Sequence, residues 1–347
     1  KQKHDEILAL SDGEIDSKIT RIVKNLEALD AENSTWREAD AALGDFEMLL
    51  AYRDINTAAI AEAAFPKVVY TPAAIYRDAE PEVRDALIRE LKKPDCEEAG
   101  NIQSALALIG DDVVQRAFMK LEGNPLPCRE KLYVNPSVYA EAGGWSFDES
   151  GQRQTLVHDT CYAMHSDAAS PDSAVRIGKK RDDRCAVCGC QMIDALVLDS
   201  RDPRLAFLGI EGILRVPICP WCACFTEDNI IRYQLDGASS YEVKIDPYFS
   251  ENKLDAKYID EMDTNTWVLD EGPSPVYRSY GGDEAPTIGG MAQWIQDWTY
   301  MTCPDCGKKM TYLASIPWSC ISDGFEGTLY IEICTDCRVV KVLHQQT

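Results

Sequence analysis

Two stretches of the chain carry the same eight-residue pattern of sulfur and glycine. Residues 185–192 read CAVCGCQM and residues 303–310 read CPDCGKKM, both C-x2-C-G-x2-M. Two thiolates three positions apart hold one ion only if the chain turns tightly between them. The glycine after the second Cys, Gly189 or Gly307, supplies the backbone freedom for that turn. Each stretch is followed, 28 to 31 residues after its second Cys, by another C-x2-C. The approach to that second pair repeats too. Residues 209–222 read GIEGILRVPICPWC and residues 324–337 read GFEGTLYIEICTDC, sharing G-x-E-G-x-L-x3-I-C-x2-C. Agreement at so many positions marks an internal duplication of one supersecondary unit.

The unit has the physics of a zinc ribbon, with two knuckles joined by a hairpin and closing a tetrahedral four-sulfur site. The spacing therefore predicts two structural zinc ions. One is held by Cys185, Cys188, Cys219 and Cys222 (ribbon 185–224), the other by Cys303, Cys306, Cys334 and Cys337 (ribbon 303–337). Four protein ligands leave no position for an activated water or a substrate. Such a site supplies roughly 10–16 kcal/mol of apparent binding energy to a loop-rich region. Each all-thiolate site also adds two units of negative charge. The first module carries two further thiols, Cys190 and Cys224, each two positions beyond a knuckle. They are read as small buried side chains, with a ligand swap or small cluster as the alternative. Cys96, Cys128, Cys161 and Cys320 are read as core or surface residues.

The chain has only four His. HDTCYAMH (158–165) sets Cys161 between His158 and His165, which suggests a Cys-His nucleophile pair or a third metal site. Set against this, the segment reads as extended, with the two His seven positions apart. No phosphate-cradling Gly loop, nucleophile elbow or metalloprotease His-Glu pattern appears, and no residue is assigned a catalytic role.

The elements that must position the sulfurs follow from composition and periodicity. A chain of 347 residues with 45% hydrophobic residues is globular and long enough for two or three domains. Residues 1–125 read as helical. Ser11 and Glu14 have capping-box spacing before an amphipathic run of Ile15, Ile19, Ile22, Leu26 and Leu29. Further helices are expected over 36–52, from Thr71-Pro72, over 81–92, and over 101–109 and 112–122. The last pair, broken at Gly110-Asp111-Asp112, resembles a HEAT-type hairpin; a generic bundle is the alternative. GNPLP (123–127) marks a boundary, and 126–347 reads as β-rich. LYVNPSVYAEAGGWSFD reads as short extended pieces and turns. ALVLD, GILRVPI, YEVKI, TWVL and TLYIEI read as strands. Residues 250–290 read as a long acidic surface loop. The fold class is thus α+β: an N-terminal α-helical domain, then a mostly β region with two duplicated zinc ribbons.

Charge narrows the partners. With 35 basic and 58 acidic residues, the formal net charge is −23. Such a field repels nucleic-acid phosphates and anionic lipid and attracts basic proteins. No apolar run of 18 residues and no opening signal segment is present, so no membrane association is expected. Of the 14 Cys, eight fall in C-x2-C pairs, which points to a metal and a reducing, cytoplasmic compartment.

PTIGGMAQWIQDWTYMTCPDCGKKMTYLASI resembles the YwqG-like family of bacterial proteins, and eukaryotic programmed-cell-death-protein-two relatives share the layout. The matching residues are Ile288, Gly289, Gly290, Trp294, Ile295, Gln296, Gly327 and the four Cys of the second module. The resemblance covers about residues 285–343, with Met-Ala where the family has Pro. It implies an interaction protein: an immunity protein in the bacterial family, a chaperone for a basic ribosomal protein among the eukaryotic relatives. Both roles mean holding another protein, often a basic one. The expectation is therefore a non-enzymatic acidic binding protein, foremost an immunity protein against a basic toxin. The alternatives are a chaperone or assembly factor for a basic ribosomal or nucleic-acid-binding protein, and an enzyme using the His158–Cys161–His165 region.

Overall fold

A computed structural model of the chain describes residues 2–94, 96–124, 129, 132–148, 150–169, 174–250, 254 and 256–347. The fold is α+β and divides into two compact units, Lys1–Leu156 and Val157–Thr347. The expected boundary at 125/126, and Cys128, lie outside the described residues.

The first unit is helical: α1 (Gln2–Leu8), α2 (Asp12–Glu27), α3 (Trp36–Leu43), α4 (Phe46–Arg53), α5 (Ala58–Ala64), α6 (Pro81–Glu90), α7 (Ala99–Ile109), α8 (Asp112–Gly123) and the short α9 (Pro136–Tyr139). The hairpin of β1 (Trp145–Phe147) and β2 (Arg153–Thr155) closes it. The capping box forms as expected, with the Glu14 carboxylate accepting from the Ser11 backbone N–H at 2.8 Å. Ile15, Ile22 and Leu26 are the buried stripe of α2.

The single helix expected over 36–52 is two. Gly44, at φ 56°, ends α3, and Asp45 turns its carboxylate to Lys18 at 2.7 Å and Lys3 at 3.0 Å. The helix expected from Thr71-Pro72 is one 3-10 turn, Ala73–Tyr76, whose Tyr76 hydroxyl donates back to the Val69 carbonyl. The α7–α8 hairpin is present. Gly110 takes the left-handed φ of 56° and Asp111 caps α8 by accepting from the Val114 N–H at 2.9 Å.

The stretch 132–148, expected to be extended, contains α9 and a 3-10 turn, Ala140–Gly143, before β1. Trp145 fastens it to the helices: its Nε1 donates to the Ala107 carbonyl at 2.9 Å and its ring stacks on Phe118. Gly143 permits this, because a Cβ there would collide with the Ala107 carbonyl.

The second unit contains β3 (His158–Ser166), β4 (Val175–Arg184), β5 (Gln191–Asp199), β6 (Ile213–Ile218), β7 (Asn229–Tyr233), β8 (Ser239–Val243), α10 (Pro247–Ser250), α11 (Ala256–Asp260), β9 (Trp267–Leu269), β10 (Thr287–Gly290), β11 (Thr311–Pro317), β12 (Thr328–Cys334) and β13 (Val339–Gln345). The expected loop over 250–290 thus carries α11, β9, a 3-10 turn and β10. Among the described residues one sheet has the order β8-β7-β13-β12-β11-β10-β3-β9 and a second has β4-β5-β6, both antiparallel. One hydrophobic cluster draws on both sheets, with Ile193, Leu196 and Val216 from one and Leu313, Ile316 and Ile331 from the other.

The duplication is visible in the topology: β4-β5-β6 corresponds to β10-β11-β12. The copies differ in the next strand. In the second, β13 begins at Val339, directly after the knuckle, and pairs with β12. In the first, a 3-10 turn (Cys222–Cys224) and four more residues precede β7, which pairs with β13 of the other copy.

Candidate metal centres

Each hairpin delivers its two knuckles to one end. β5 leaves the first knuckle just beyond Cys188 and β6 ends at Ile218, next to Cys219. In the second copy β11 begins at Thr311, beyond Cys306, and β12 ends on Cys334 itself. The knuckle turns are alike in both copies. Gly189 at φ 75° donates its N–H to the Cys185 carbonyl at 2.9 Å, and Gly307 at φ 73° to that of Cys303 at 3.0 Å. The Cys185 and Cys303 N–H groups donate to the carbonyls of Cys190 and Lys308, each at 2.8 Å.

The sulfurs of Cys185, Cys188, Cys219 and Cys222 all lie within 4.8 Å of one another, as do those of Cys303, Cys306, Cys334 and Cys337. Individual separations are 3.8 Å for Cys185–Cys222, 3.4 Å for Cys188–Cys219 and 3.8 Å for Cys306–Cys334. A metal–sulfur bond of about 2.3 Å in a tetrahedron sets sulfurs about 3.8 Å apart. The two groups therefore fit a tetrahedral, thiolate-binding cation, and these eight residues could hold two metal ions. Hydrogen bonds from Cys219 and Cys222 hold the Cys185 thiol far below its usual range, while contacts with Cys185, Cys190 and Cys222 raise Cys219. Sulfurs this close share protons until a cation replaces them.

The two centres differ in their surroundings. All four Cys of the first are buried, packed with Met192 and covered by Trp221, Tyr241 and Leu254. In the second, Cys306 is exposed and Cys334 and Cys337 are half-buried. Strand β7, from the first copy, braces the second centre. Its Arg232 guanidinium forks onto Asp305, between the knuckle thiols, with one arm at 2.9 Å, and the Tyr233 N–H donates to the Arg338 carbonyl at 3.1 Å. Nothing in the spacing of the cysteines announces this cross-copy contact. An isolated Arg in a β-branched run was the only signal.

No family model and no solved structure matches the chain. It is similar to an uncharacterized protein, YpfL, of Salmonella typhimurium, with 27% identity over 287 residues. The match covers 80% of this chain and 65% of that relative, so the chain spans less than two thirds of the relative's length. Among the described residues no helix is long and apolar enough to cross a membrane.

Among the described residues the remaining thiols lie outside the two groups. Cys190 is buried against the first centre, and a hydrogen bond from Cys219 draws its thiol down to about 6. Cys224 donates to the Pro220 carbonyl at 3.4 Å, and burial pushes it up to about 12. Cys96 and Cys320 are buried.

The Cys-His arrangement read from 158–165 is not assembled. His158, Cys161 and His165 lie along β3, whose rise of about 3.3 Å per residue separates the two His by about 23 Å. Burial pushes the Cys161 thiol up to about 12, the opposite of an activated nucleophile. Burial also lowers His158, which packs edge-on to Phe207, and His165 Nδ1 sits 2.7 Å from Asp270.

Proposed function

We propose that the chain is a non-enzymatic binding protein of the cytoplasm, braced by two structural zinc ions, that holds a basic protein partner. The observation that carries this reading is the completeness of both sulfur groups in so acidic a chain. Each group offers four protein ligands in tetrahedral spacing, so an ion there braces a hairpin and has no open position for a substrate. The eight thiolates then deepen a net charge of −23, and charge of that size steers cationic partners. Thiolate donors without carboxylate or water partners favour zinc over magnesium or calcium. Immunity against a basic toxin is the version that the YwqG-like residues of 285–343 favour.

The reading is tested in two measurements. Elemental analysis of protein purified under reducing conditions should give two zinc ions per chain; another metal, or none, would overturn the zinc assignment. Affinity capture at low and high salt, then pairwise titration of the recovered protein, should give a basic partner whose association slows and weakens with salt. Recovery of an acidic partner with salt-insensitive binding would defeat the proposal.

A further inference from the structure

The helical unit carries an open groove of about 580 Å³ between α3 and the segment from Lys67 to Pro72. Its walls break two habits of soluble proteins. Trp36, in the first turn of α3, is 73% exposed, and Val68 across the groove is 49% exposed. Val68 also has φ 60°, a left-handed conformation that a β-branched side chain resists. The fold holds it there through its N–H, which donates to the Phe65 carbonyl at 3.1 Å. Strain of this sort persists where surrounding structure imposes it and clusters at binding sites.

The charge in the groove is unbalanced. Asp40, Glu47 and Glu98 line it, and among the described lining residues Lys67 is the single cation. Lys67 is engaged elsewhere, donating to the Leu29 carbonyl at 2.6 Å. Among the described residues none of the three carboxylates makes an ion pair, and Glu98 accepts only from the Asn101 amide at 2.7 Å. Burial and the neighbouring Asp40 raise the Glu47 carboxyl above its usual range, the mark of a half-buried anion without a counter-ion. The indole attracts guanidinium: Arg37 of the same helix lies 5.4 Å from the Trp36 ring and occupies one face.

We propose that this groove is the docking site for an arginine-bearing segment of the basic protein partner, with one guanidinium seated between the Trp36 ring and the Asp40 and Glu47 carboxylates and a neighbouring apolar residue resting on Val68. Arginine suits the site better than lysine, because its planar head stacks on an indole and forks onto carboxylates. This rests on the reading of the chain as a binder of basic proteins and says where that recognition is concentrated.

The test uses the full chain and a short fluorescein-labelled peptide of alternating arginine and glycine, followed by anisotropy. The same peptide with citrulline in place of arginine is the neutral control. Trp36→Ala and Glu47→Gln should each weaken binding about fivefold. Asp323→Asn, which removes one exposed charge in the other unit, should leave it within about twofold. Trp36 is exposed and Glu47→Gln keeps the side-chain shape, so both variants should fold; circular dichroism checks this. If the arginine peptide binds and all three variants bind alike, the groove is wrong and diffuse attraction by the whole surface remains. If the unmodified protein does not distinguish arginine from citrulline, the groove and the basic-partner reading both fail.

Discussion

The Sγ atoms of Cys188 and Cys219 lie 3.4 Å apart, although one belongs to the turn before β5 and the other directly follows β6. The hairpin between them brings two sequence-distant knuckles to one point, and an ion there ties both ends of the first repeat.

Replacing Cys219 by Ser should therefore leave one ion per chain where two are expected of the unmodified protein, measured by elemental analysis. The variant should also unfold at a lower temperature. Ion-linked folding energy is lost, and each kcal/mol shifts Tm by about 2–4 °C for a unit of this size. An unchanged metal count would mean that Cys219 is not a ligand.

The centres should release their ions at different rates. Cys306 is exposed, whereas Cys185, Cys188, Cys219 and Cys222 are all buried. A chelator reaches an ion past an exposed thiolate more readily than through a packed shell. A colorimetric chelator should thus show a fast phase and a slow phase of equal size, and Cys306→Ser should abolish the fast one. Release in one phase from the unmodified protein would contradict the asymmetry.

Gly212 and Gly327 hold equivalent places before β6 and β12. They take φ 140° and 91°, and a Cβ on either would collide with the Leu235 or Gln345 carbonyl. Alanine at either position should cost more than the about 1–3 kcal/mol of unfavourable backbone conformation alone. Gly209→Ala is the control. That residue has φ 66° with open space around it, so it should cost only the conformational part. Urea unfolding monitored by tryptophan fluorescence separates the two outcomes.

Glu47 should oppose folding at neutral pH. Its carboxyl is raised by burial first and by Asp40 second. A folded-state pKa above the unfolded one means that protons favour the native state. The stability linked to Glu47 is full below the unfolded value and is lost as pH rises through the folded one. Glu47→Gln should therefore stabilise the protein at pH 7 and make little difference near pH 4, checked by thermal unfolding at both. A destabilised variant at pH 7 would mean that the carboxylate is satisfied in the native state.

Much of the site was legible in the chain itself. The two groups of four sulfurs were readable because tetrahedral thiolate binding imposes short spacing and a flexible turn, and both demands are local. The repeat made the hairpins readable too, since ILRVPI and TLYIEI sit at the same distance from their knuckles and become β6 and β12. The helices with caps, α2 and α8, were likewise local. The break at Gly44-Asp45 was missed because apolar periodicity runs straight across it. Strand β4 was missed because its charged sequence, VRIGKKRDDR, lacks the apolar signature of a strand and is held in place by pairing to β5.

What the sequence determined by itself, then, is which atoms can hold an ion: ligand chemistry and turn geometry are written within a few residues of each sulfur. The tertiary structure alone decided how the two copies differ. One centre is sealed and the other open, β7 crosses to brace its neighbour, and the two His of β3 stay apart. Burial and strand pairing depend on residues far away along the chain, and no spacing between neighbours encodes them.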